Sequence, residues 1–404
     1  MDSVQIRNLL QEASYHMYSW TTEDLTSKLA KEVMSIGLAK IISFYQATGS
    51  DPNNVLVIFG PDGSVTRNKS RFNSGVGYGC AVITKDFLFP SLLHPNGCGF
   101  GLYHVTNMPS KLQIMDRLQV LKKDGVPVGR RTGKWDVWKS NHFIDLLRLE
   151  SLTDDSSHYE KLLLPGDYVL IHSSQQTEKQ GLSFWKEEEF ERVKTPFGLV
   201  EGLPEKSGIE YLNYFKSVEE YSKSKRTSIA EILFGEENIT CISNPTHQGY
   251  YQENNLFTMR LGLYNSLDAT GETPLPLFPI GFNGYSFIYL YEGKPNINTK
   301  YWTGMQTQQA KEKDHTSILN KINILPHGGG YKLLYPYSEV KTLVHEREFY
   351  FELSQAPMQS RLLIQNVESL EYGYRGSSEV LPVVERLELG KRVARFVPVQ
   401  VIKF

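Results

Sequence analysis

The stretch Asn54-Val-Leu-Val-Ile-Phe59, followed by Gly60-Pro-Asp-Gly63, decides the fold class of this chain. Its continuous apolar run is typical of a buried strand, and the residues after it predict a turn. A second strand is predicted over 76–84. Before both strands, Thr21-Thr-Glu-Asp24 precedes apolar residues whose helical spacing ends at Gly49. We therefore expect an N-capped amphipathic helix that packs on the strands.

The rest of the chain also mixes helices and strands. Residues 167–171 predict a strand that ends at His172, and residues 210–234 predict a helix with a break near Lys225-Arg-Thr227. Further strands are expected over 285–291, 331–335, 349–353, 361–365 and 396–402. No repeat, heptad array or linker divides the sequence. We therefore expect one large α+β domain over 1–404, with an N-terminal helical segment over 1–50 and a helical insertion over 205–235.

Composition argues against several classes of protein. No apolar run approaches the roughly 18–20 residues that a membrane-spanning helix needs. Three cysteines among 404 residues are too few for a disulfide framework, which favours a reducing compartment. The first residues lack the basic and apolar regions of a signal peptide, so we expect a cytoplasmic protein without a membrane partner. Because the net charge is −2, any contact with nucleic acid depends on a local basic patch.

Cys98 and three histidines form the most informative functional pattern. Cys98 lies between two glycines, which let the backbone bring its sulfur close to an ion. His142 opens an apolar run, His172 ends a strand, and His247 lies in an irregular segment. Thiolate and imidazole donors suit borderline or soft divalent metals. These four residues therefore predict one metal site, and ordinary buried or surface histidines are the alternative because no short metal motif is present.

Several blocks of the sequence, from about residue 55 to the end, resemble the motifs of the RtcB-type RNA ligases in the same order. They are Gly75-Val-Gly-Tyr-Gly-Cys-Ala-Val-Ile-Thr84 with Asn96-Gly-Cys-Gly99, Asn141-His-Phe-Ile144, Ile171-His-Ser-Ser174, His247 with Tyr250, Ala356-Pro-Met-Gln-Ser360, and Val401-Ile-Lys403. The resemblance implies an RtcB-like fold.

The resemblance also implies a reaction. RNA ends that carry a 3′-phosphate or 2′,3′-cyclic phosphate would be joined to 5′-hydroxyl ends, as in RNA repair and tRNA splicing. The reaction would use GTP and manganese through a guanylated histidine, with Asn141 and Lys403 holding the guanine nucleotide. Paired cations suit this chemistry because they neutralise phosphoryl oxygens and orient an in-line displacement.

The resemblance assigns a role to each metal-binding residue. Cys98 would bridge two ions, with His142 on one ion and with His172 and His247 on the other. Pro95 occupies the position of an acidic ligand in the family, so the second ion loses a carboxylate, for which Asn96 or His94 would be an imperfect substitute.

The family's guanylated histidine is replaced here by Arg375. A guanidinium group stays protonated and cannot act as that nucleophile, so the catalytic residue is left unassigned. His327 or His345 is a possible replacement, although an exposed loop histidine is the more ordinary interpretation of each.

Basic residues are missing from two family blocks. Arg-Lys-Gly-Ala appears as His327-Gly-Gly-Gly-Tyr331, which favours a mobile turn over a phosphate loop, and an arginine is absent from His172-Ser-Ser-Gln-Gln-Thr177. Lys122, Lys123 and the segment 130–139 combine cations with tryptophans. This combination suits either an RNA backbone or a solvated loop anchored by indole rings.

Three functions are consistent with these residues. The first is a divergent RNA ligase. The second is a protein that binds RNA ends or guanine nucleotide without catalysis, as the loss of the nucleophile and of the basic blocks indicates. The third is a metal-dependent phosphoesterase that activates water without a guanylated intermediate.

Overall fold

A computed structural model of the chain describes residues 3–138, 141–153, 159–175, 187–268, 275–296, 302–346, 348–355 and 360–404. Helices and strands are interspersed throughout these residues, and most strands pair antiparallel. The expected α+β class is therefore confirmed.

The helices differ widely in length. They are α1 (Ser3–Ser14), α2 (Leu25–Thr48), α3 (Lys69–Ser74), α4 (Pro90–Leu93), α5 (Lys111–Asp124), α6 (Glu205–Phe234), α7 (Gly304–Glu312), α8 (Thr316–Leu319) and α9 (Ser377–Arg386).

The strands of the first half are β1 (Met17–Ser19), β2 (Val55–Ser64), β3 (Tyr78–Thr84), β4 (Phe87–Leu88), β5 (Gly99–Val105), β6 (Val126–Val128), β7 (Arg131–Gly133), β8 (Phe143–Leu152), β9 (Asp167–Ser173), β10 (Glu191–Thr195) and β11 (Gly198–Pro204). Those of the second half are β12 (Ile239–Ser243), β13 (Gln248–Glu253), β14 (Leu256–Leu261), β15 (Leu263–Tyr264), β16 (Leu277–Ile280), β17 (Ile288–Gly293), β18 (Leu325–Pro326), β19 (Tyr331–Leu333), β20 (Glu339–His345), β21 (Glu348–Ser354), β22 (Arg361–Ile364), β23 (Tyr372–Tyr374) and β24 (Gly390–Ile402).

Two large sheets form the centre of the fold. Their strand orders are β1-β2-β3-β14-β13 and β12-β5-β9-β8-β24-β17-β16. The two sheets share an apolar core that includes Leu56 of β2, Leu102 of β5 and Leu170 of β9. On the outer faces, α2 covers the five-stranded sheet, and α5 and α6 cover the seven-stranded sheet. The chain thus forms four layers, in the order helix, sheet, sheet, helix.

The continuous apolar run in β2 follows from this layering. Val55 and Val57 face α2, whereas Leu56 and Ile58 face the second sheet. Because successive side chains alternate between the two faces of a strand, a strand covered on both faces needs apolar residues at every position.

The first long helix is placed as the sequence predicts. The side chain of Asp24 accepts a hydrogen bond from the backbone N–H of Ser27, and the side chain of Ser27 accepts one from the backbone N–H of Asp24. Gly49 ends α2 in the left-handed conformation, with φ of 74°. Both ends of α2 are therefore determined by local capping.

The turn predicted at 60–63 is wrong. Strand β2 continues through these residues to Ser64, and its pairing with β3 shifts register between Phe59 and Ser64. This irregularity buries the side chain of Asp62, which contacts His327 far along the chain. A tertiary contact thus overrides the local turn signal.

The break predicted near Lys225 is also wrong, because α6 is continuous from Glu205 to Phe234. Lys225 and Arg226 are buried rather than exposed at a helix end. Lys225 donates to Asp136 at 2.8 Å, and Arg226 donates to Asn244 at 2.6 Å. A buried cation is tolerated when it has a hydrogen-bond partner, and both of these cations have one. The helix can therefore continue through residues 225–227.

Candidate metal and nucleotide site

Three candidate ligands meet at one edge of the seven-stranded sheet. Strand β9 runs antiparallel to both of its neighbours, so its C-terminal end lies beside the start of β5 and the start of β8. Cys98 immediately precedes β5, and His142 immediately precedes β8. Both residues therefore reach the end of β9 that contains His172. Sheet topology, rather than any local motif, assembles the group.

The donor atoms of these residues point at one another. The sulfur of Cys98 lies 3.1 Å from Nε2 of His172 and 3.4 Å from Nε2 of His142. All three side chains are buried, and their potential ligand atoms lie within 4.8 Å of one another. Nδ1 of His172 donates to the carbonyl of Asn141 at 2.8 Å, which directs Nε2 toward the sulfur. The group can therefore hold a metal ion.

A buried carboxylate orients His142. One oxygen of Asp136 lies 2.9 Å from Nδ1 of His142, and the other accepts from Lys225 at 2.8 Å. Ser173 and Ser174 also donate to Asp136. Asp136 thus contacts a candidate ligand without offering an oxygen to the metal position.

The charges around His142 act together on its protonation. Burial lowers the pKa of His142, but the negative charges of Cys98 and Asp136 outweigh burial and raise it to about 10. Burial raises the pKa of Asp136, and the neighbouring His142 and Lys225 lower it well below its usual range. For His172, burial and the nearby charge of His142 lower the pKa. These surroundings therefore favour the protonated form of His142 and the neutral form of His172.

His247 lies beside the group but outside its 4.8 Å limit. Its ring centroid is 5.3 Å from that of His172, and its backbone N–H donates to the carbonyl of Cys98 at 2.9 Å. Its side chain is fully buried, and neither ring nitrogen has a hydrogen-bond partner among the described residues. Such unsatisfied buried nitrogens are costly, and a metal bond would satisfy one of them.

His327 is buried, so its interpretation as an exposed loop histidine is wrong. Its Nδ1 donates to Asp62 at 2.8 Å and to the carbonyl of Gly262 at 2.7 Å. The proton is thereby held on Nδ1, which leaves Nε2 to accept from the hydroxyl of Tyr78 at 3.3 Å. The ring centroid lies 4.2 Å from that of His247. By contrast, His345 is exposed at the end of β20.

A cavity adjoins the cluster, and it is lined by both residues that the resemblance assigns to the guanine nucleotide. Asn141 and Lys403 share its wall with His172 and His327. It encloses about 700 Å³ when the open solvent at its mouth is included. Lys403 reaches this edge because β24 pairs with β8 up to its last residue, where Ile402 lies opposite Ile144.

Asp145 introduces a carboxyl group into the cavity wall. It is buried, and its Oδ1 has no hydrogen-bond partner among the described residues. Burial raises the pKa of Asp145 to about 7, although the charge of Lys403 partly opposes this. The group is therefore poised to change protonation near neutral pH.

The three glycines from Gly328 to Gly330 also line or border this cavity. They are buried, and a Cβ atom at any of them would lie 2.1 Å from a backbone oxygen of another segment. Gly330 has φ of 66°. The segment is thus a closely packed wall rather than the mobile turn expected from its composition.

Arg375 does not line the cavity. Its side chain is fully buried, and it donates to both carboxylate oxygens of Asp24 at 2.8 Å and to the carbonyl of Gly63 at 2.9 Å. Arg375 therefore connects β2 with the start of α2.

The basic and aromatic segment divides into two parts. Trp135 is buried and donates to the carbonyl of Phe404 at 2.7 Å, whereas the side chain of Trp138 is exposed. Lys139 lies outside the described residues, as do residues 176–177 and most of the 356–360 block. Trp135 thus anchors the C-terminal end, and Trp138 is the tryptophan of this segment that is available to solvent.

Sequence reasoning missed Asp136, Lys225, Asp62 and Tyr78. None of them lies in a recognisable motif, and each acquires its role through partners far away in the sequence. The one available signal was the pair of charged residues Lys225-Arg226 within a helical pattern, because buried cations require partners.

No protein-family model matches the chain, and a search of curated proteins found no significant match. Among the described helices, none is long and apolar enough to span a membrane.

Proposed function

We propose that this chain is a divergent RtcB-like RNA ligase, which joins RNA 3′-phosphate or 2′,3′-cyclic phosphate ends to 5′-hydroxyl ends with GTP and a divalent metal. One observation carries the proposal. Asn141 and Lys403, which the resemblance assigns to the nucleotide, line the same cavity as His172 of the Cys-His group. A nucleotide in this cavity would have its phosphates beside the metal position.

The lining of the cavity also includes groups that can contact a nucleotide. Phe143, Phe282 and Tyr331 supply flat apolar surface to the wall of the cavity. A planar base can stack on such rings, and the ammonium group of Lys403 supplies a positive charge. RNA ends would approach from the open mouth.

His327 is the nucleophile in this proposal. It lines the cavity, and His172, the other histidine of the lining, already uses both nitrogens on Asn141 and Cys98. Nε2 of His327 would attack the α-phosphorus of GTP, the bond to the bridging oxygen would break, and pyrophosphate would leave with the electron pair. Asp62 would stabilise the positive charge that develops on the ring, while Tyr78 would turn its hydroxyl away.

The test is incubation of the purified chain with α-labelled GTP and either manganese or zinc, followed by denaturing electrophoresis. Labelled protein in the wild type and in His345→Ala, together with its loss in His327→Ala, supports the ligase. Joining of a 3′-phosphate RNA to a 5′-hydroxyl RNA must then follow the same pattern. Label that persists in His327→Ala excludes His327 as the nucleophile.

The second candidate is a protein that binds RNA ends or guanine nucleotide without joining them. The attachment of Arg375 to Asp24 favours it, since no guanylated histidine is possible at that position. It predicts GTP binding that is weakened by Asn141→Ala, with no labelled protein under any metal. If GTP neither binds nor labels the chain, and RNA with a 3′-phosphate end does not bind either, both candidates fail.

A further inference from the structure

The donor atoms of the Cys-His group are spaced as in a single tetrahedral site. A zinc ion binds sulfur at about 2.3 Å and imidazole nitrogen at about 2.0–2.1 Å, which places neighbouring donors roughly 3.5 Å apart. The sulfur of Cys98 lies 3.4 Å and 3.1 Å from the two histidine nitrogens. One ion therefore fits between these atoms with little movement of the chain.

His247 is suited to be the fourth donor. Its backbone is joined to Cys98 by a 2.9 Å hydrogen bond, and its ring lies next to that of His172. Both of its ring nitrogens are buried without hydrogen-bond partners among the described residues, so this position has an unsatisfied polar group that a ligand could satisfy. A bond from one of these nitrogens to the same ion would satisfy it.

Carboxylates do not join this group. Pro95 stands where the resemblance requires an acidic ligand, and no Asp or Glu of the described residues belongs to a set of three or more ligand atoms like this one. Asp136 supplies the carboxylate that contacts His142. Its oxygens already interact with His142, Lys225 and two serines.

This donor set does not fit a pair of manganese ions. Manganese favours oxygen ligands, whereas thiolate and imidazole favour zinc. Two ions also need more donors than one sulfur and three imidazoles provide, particularly when a bridging or terminal carboxylate is lacking. The chain's own residues thus disagree with the metal content that the resemblance implies.

We propose that this chain binds one zinc-class divalent ion through Cys98, His142, His172 and His247, in place of two manganese ions. The inference concerns the ion alone and holds whether or not the chain joins RNA ends. With four protein ligands, the ion would fix the sheet edge that forms one wall of the cavity.

The experiment is a cobalt titration of the full chain after removal of bound metal. One equivalent of cobalt is expected to saturate the site, with the visible bands of tetrahedral cobalt and a thiolate-to-cobalt band in the near ultraviolet. One equivalent of zinc is expected to bleach both, and an equal concentration of manganese is expected to leave them unchanged. Elemental analysis of the purified chain should give one zinc per chain.

Variants separate the ligands from their surroundings. Cys98→Ser should remove the charge-transfer band, and His172→Ala or His247→Ala should weaken cobalt binding by about 100-fold or more, beyond the loss typical of groups that only orient ligands. His345→Ala, which changes an exposed histidine, is the matched control and should not alter the titration. Circular dichroism of each variant identifies any that fails to fold, and the stoichiometry of the wild type then decides by itself.

Binding of two manganese ions in preference to zinc would overturn the proposal, and so would octahedral cobalt spectra. Because the readout is metal binding, failure here is distinct from failure of the ligase assay. A chain that binds one zinc but forms no guanylate would retain this inference and lose the proposed function.

Discussion

Arg375 and Asp24 form a two-point ion pair, buried at the arginine and partly exposed at the carboxylate, between the segment after β23 and the N-terminus of α2. Nε and Nη2 of Arg375 donate to the two oxygens of Asp24, each at 2.8 Å. The same carboxylate caps α2 by accepting from the backbone N–H of Ser27. The arginine is therefore part of the framework, and its charge is matched within the fold.

Replacement of Arg375 should lower the stability of the protein without affecting its labelling by GTP. Arg375→Ala leaves Asp24 without its cation, and the free energy of unfolding should fall by about 2 kcal/mol, less than for a fully buried pair because Asp24 is partly exposed. Urea unfolding followed by circular dichroism measures the change. Arg361→Ala, which breaks the exposed contact with Glu352, is the control and should cost less than about 1 kcal/mol.

Arg375→His is expected to gain no guanylate, because the side chain at this position points toward Asp24 and does not line the cavity. Labelled protein in this variant, with none in the wild type, would contradict the assignment of His327 and restore position 375 to the site.

Asp136 should increase metal affinity by orienting the ring of His142. Asp136→Asn removes the charge that holds the ring of His142 and leaves the buried ammonium of Lys225 poorly compensated. Metal affinity should fall by about 10–100-fold, the usual range for a group that orients a ligand. Cobalt titration measures this loss.

Asp167→Asn is the matched control for Asp136→Asn. Asp167 lies in β9, the strand that contains His172, and it pairs with the exposed side chain of Arg148. It should bind cobalt like the wild type. Equal affinities in both variants would show that Asp136 has no influence on the ligand that it contacts.

Gly37 should resist a substitution that helix propensity favours. It lies in the middle of α2, where alanine is favoured over glycine by about 1 kcal/mol, but a Cβ atom there would lie 2.2 Å from the carbonyl oxygen of Gly75. Gly37→Ala should therefore lower the free energy of unfolding by roughly 2 kcal/mol.

Gly304→Ala, at the start of α7 with no atom within 4 Å of the new Cβ, is the control and should be neutral or slightly stabilising. Urea unfolding of both variants gives the comparison. A stabilising Gly37→Ala would show that α2 can move away from Gly75.

Helices and strands were predicted well where residues next to each other in the sequence determine them. The helix from Leu25 to Thr48 has its capping residues next to it in the sequence, so its bounds were predictable. The turn at 60–63 and the break at 225 were wrong, because distant partners decide both: His327 holds Asp62, and Asp136 holds Lys225. Sequence alone does not show which buried charges meet.

The candidate site was predictable in part for a similar reason. Cys98 and His142 immediately precede strands, His172 lies near the end of one, and antiparallel pairing gathers these strand ends at one edge. The pair formed by Asp62 and His327 was not predictable, since it joins an irregular part of β2 to a glycine-rich segment. The resemblance supplied Asn141 and Lys403, and the structure shows that one cavity adjoins both.

Asp145 should make the stability of the protein depend on pH. Burial raises its pKa from 3.8 to about 7 in the folded chain, while the unfolded chain retains the lower value. The folded state therefore binds this proton more tightly, and its advantage is complete below about pH 4. As the pH rises toward 7, the unfolded chain gives up its proton first, and stability is lost.

Asp145→Asn removes this titration and isolates its effect. The free energy of unfolding of the variant, relative to that of the wild type, should rise by roughly 3–4 kcal/mol between about pH 4 and pH 7. Above pH 7 this difference should change little. Asp124→Asn, at the exposed end of α5, should show little difference from the wild type at any pH. Urea unfolding at intervals of half a pH unit measures all three proteins. If Asp145→Asn and the wild type differ by the same amount at pH 4 and pH 7, the carboxyl group is solvated in the cavity and the charge of Lys403 dominates its environment.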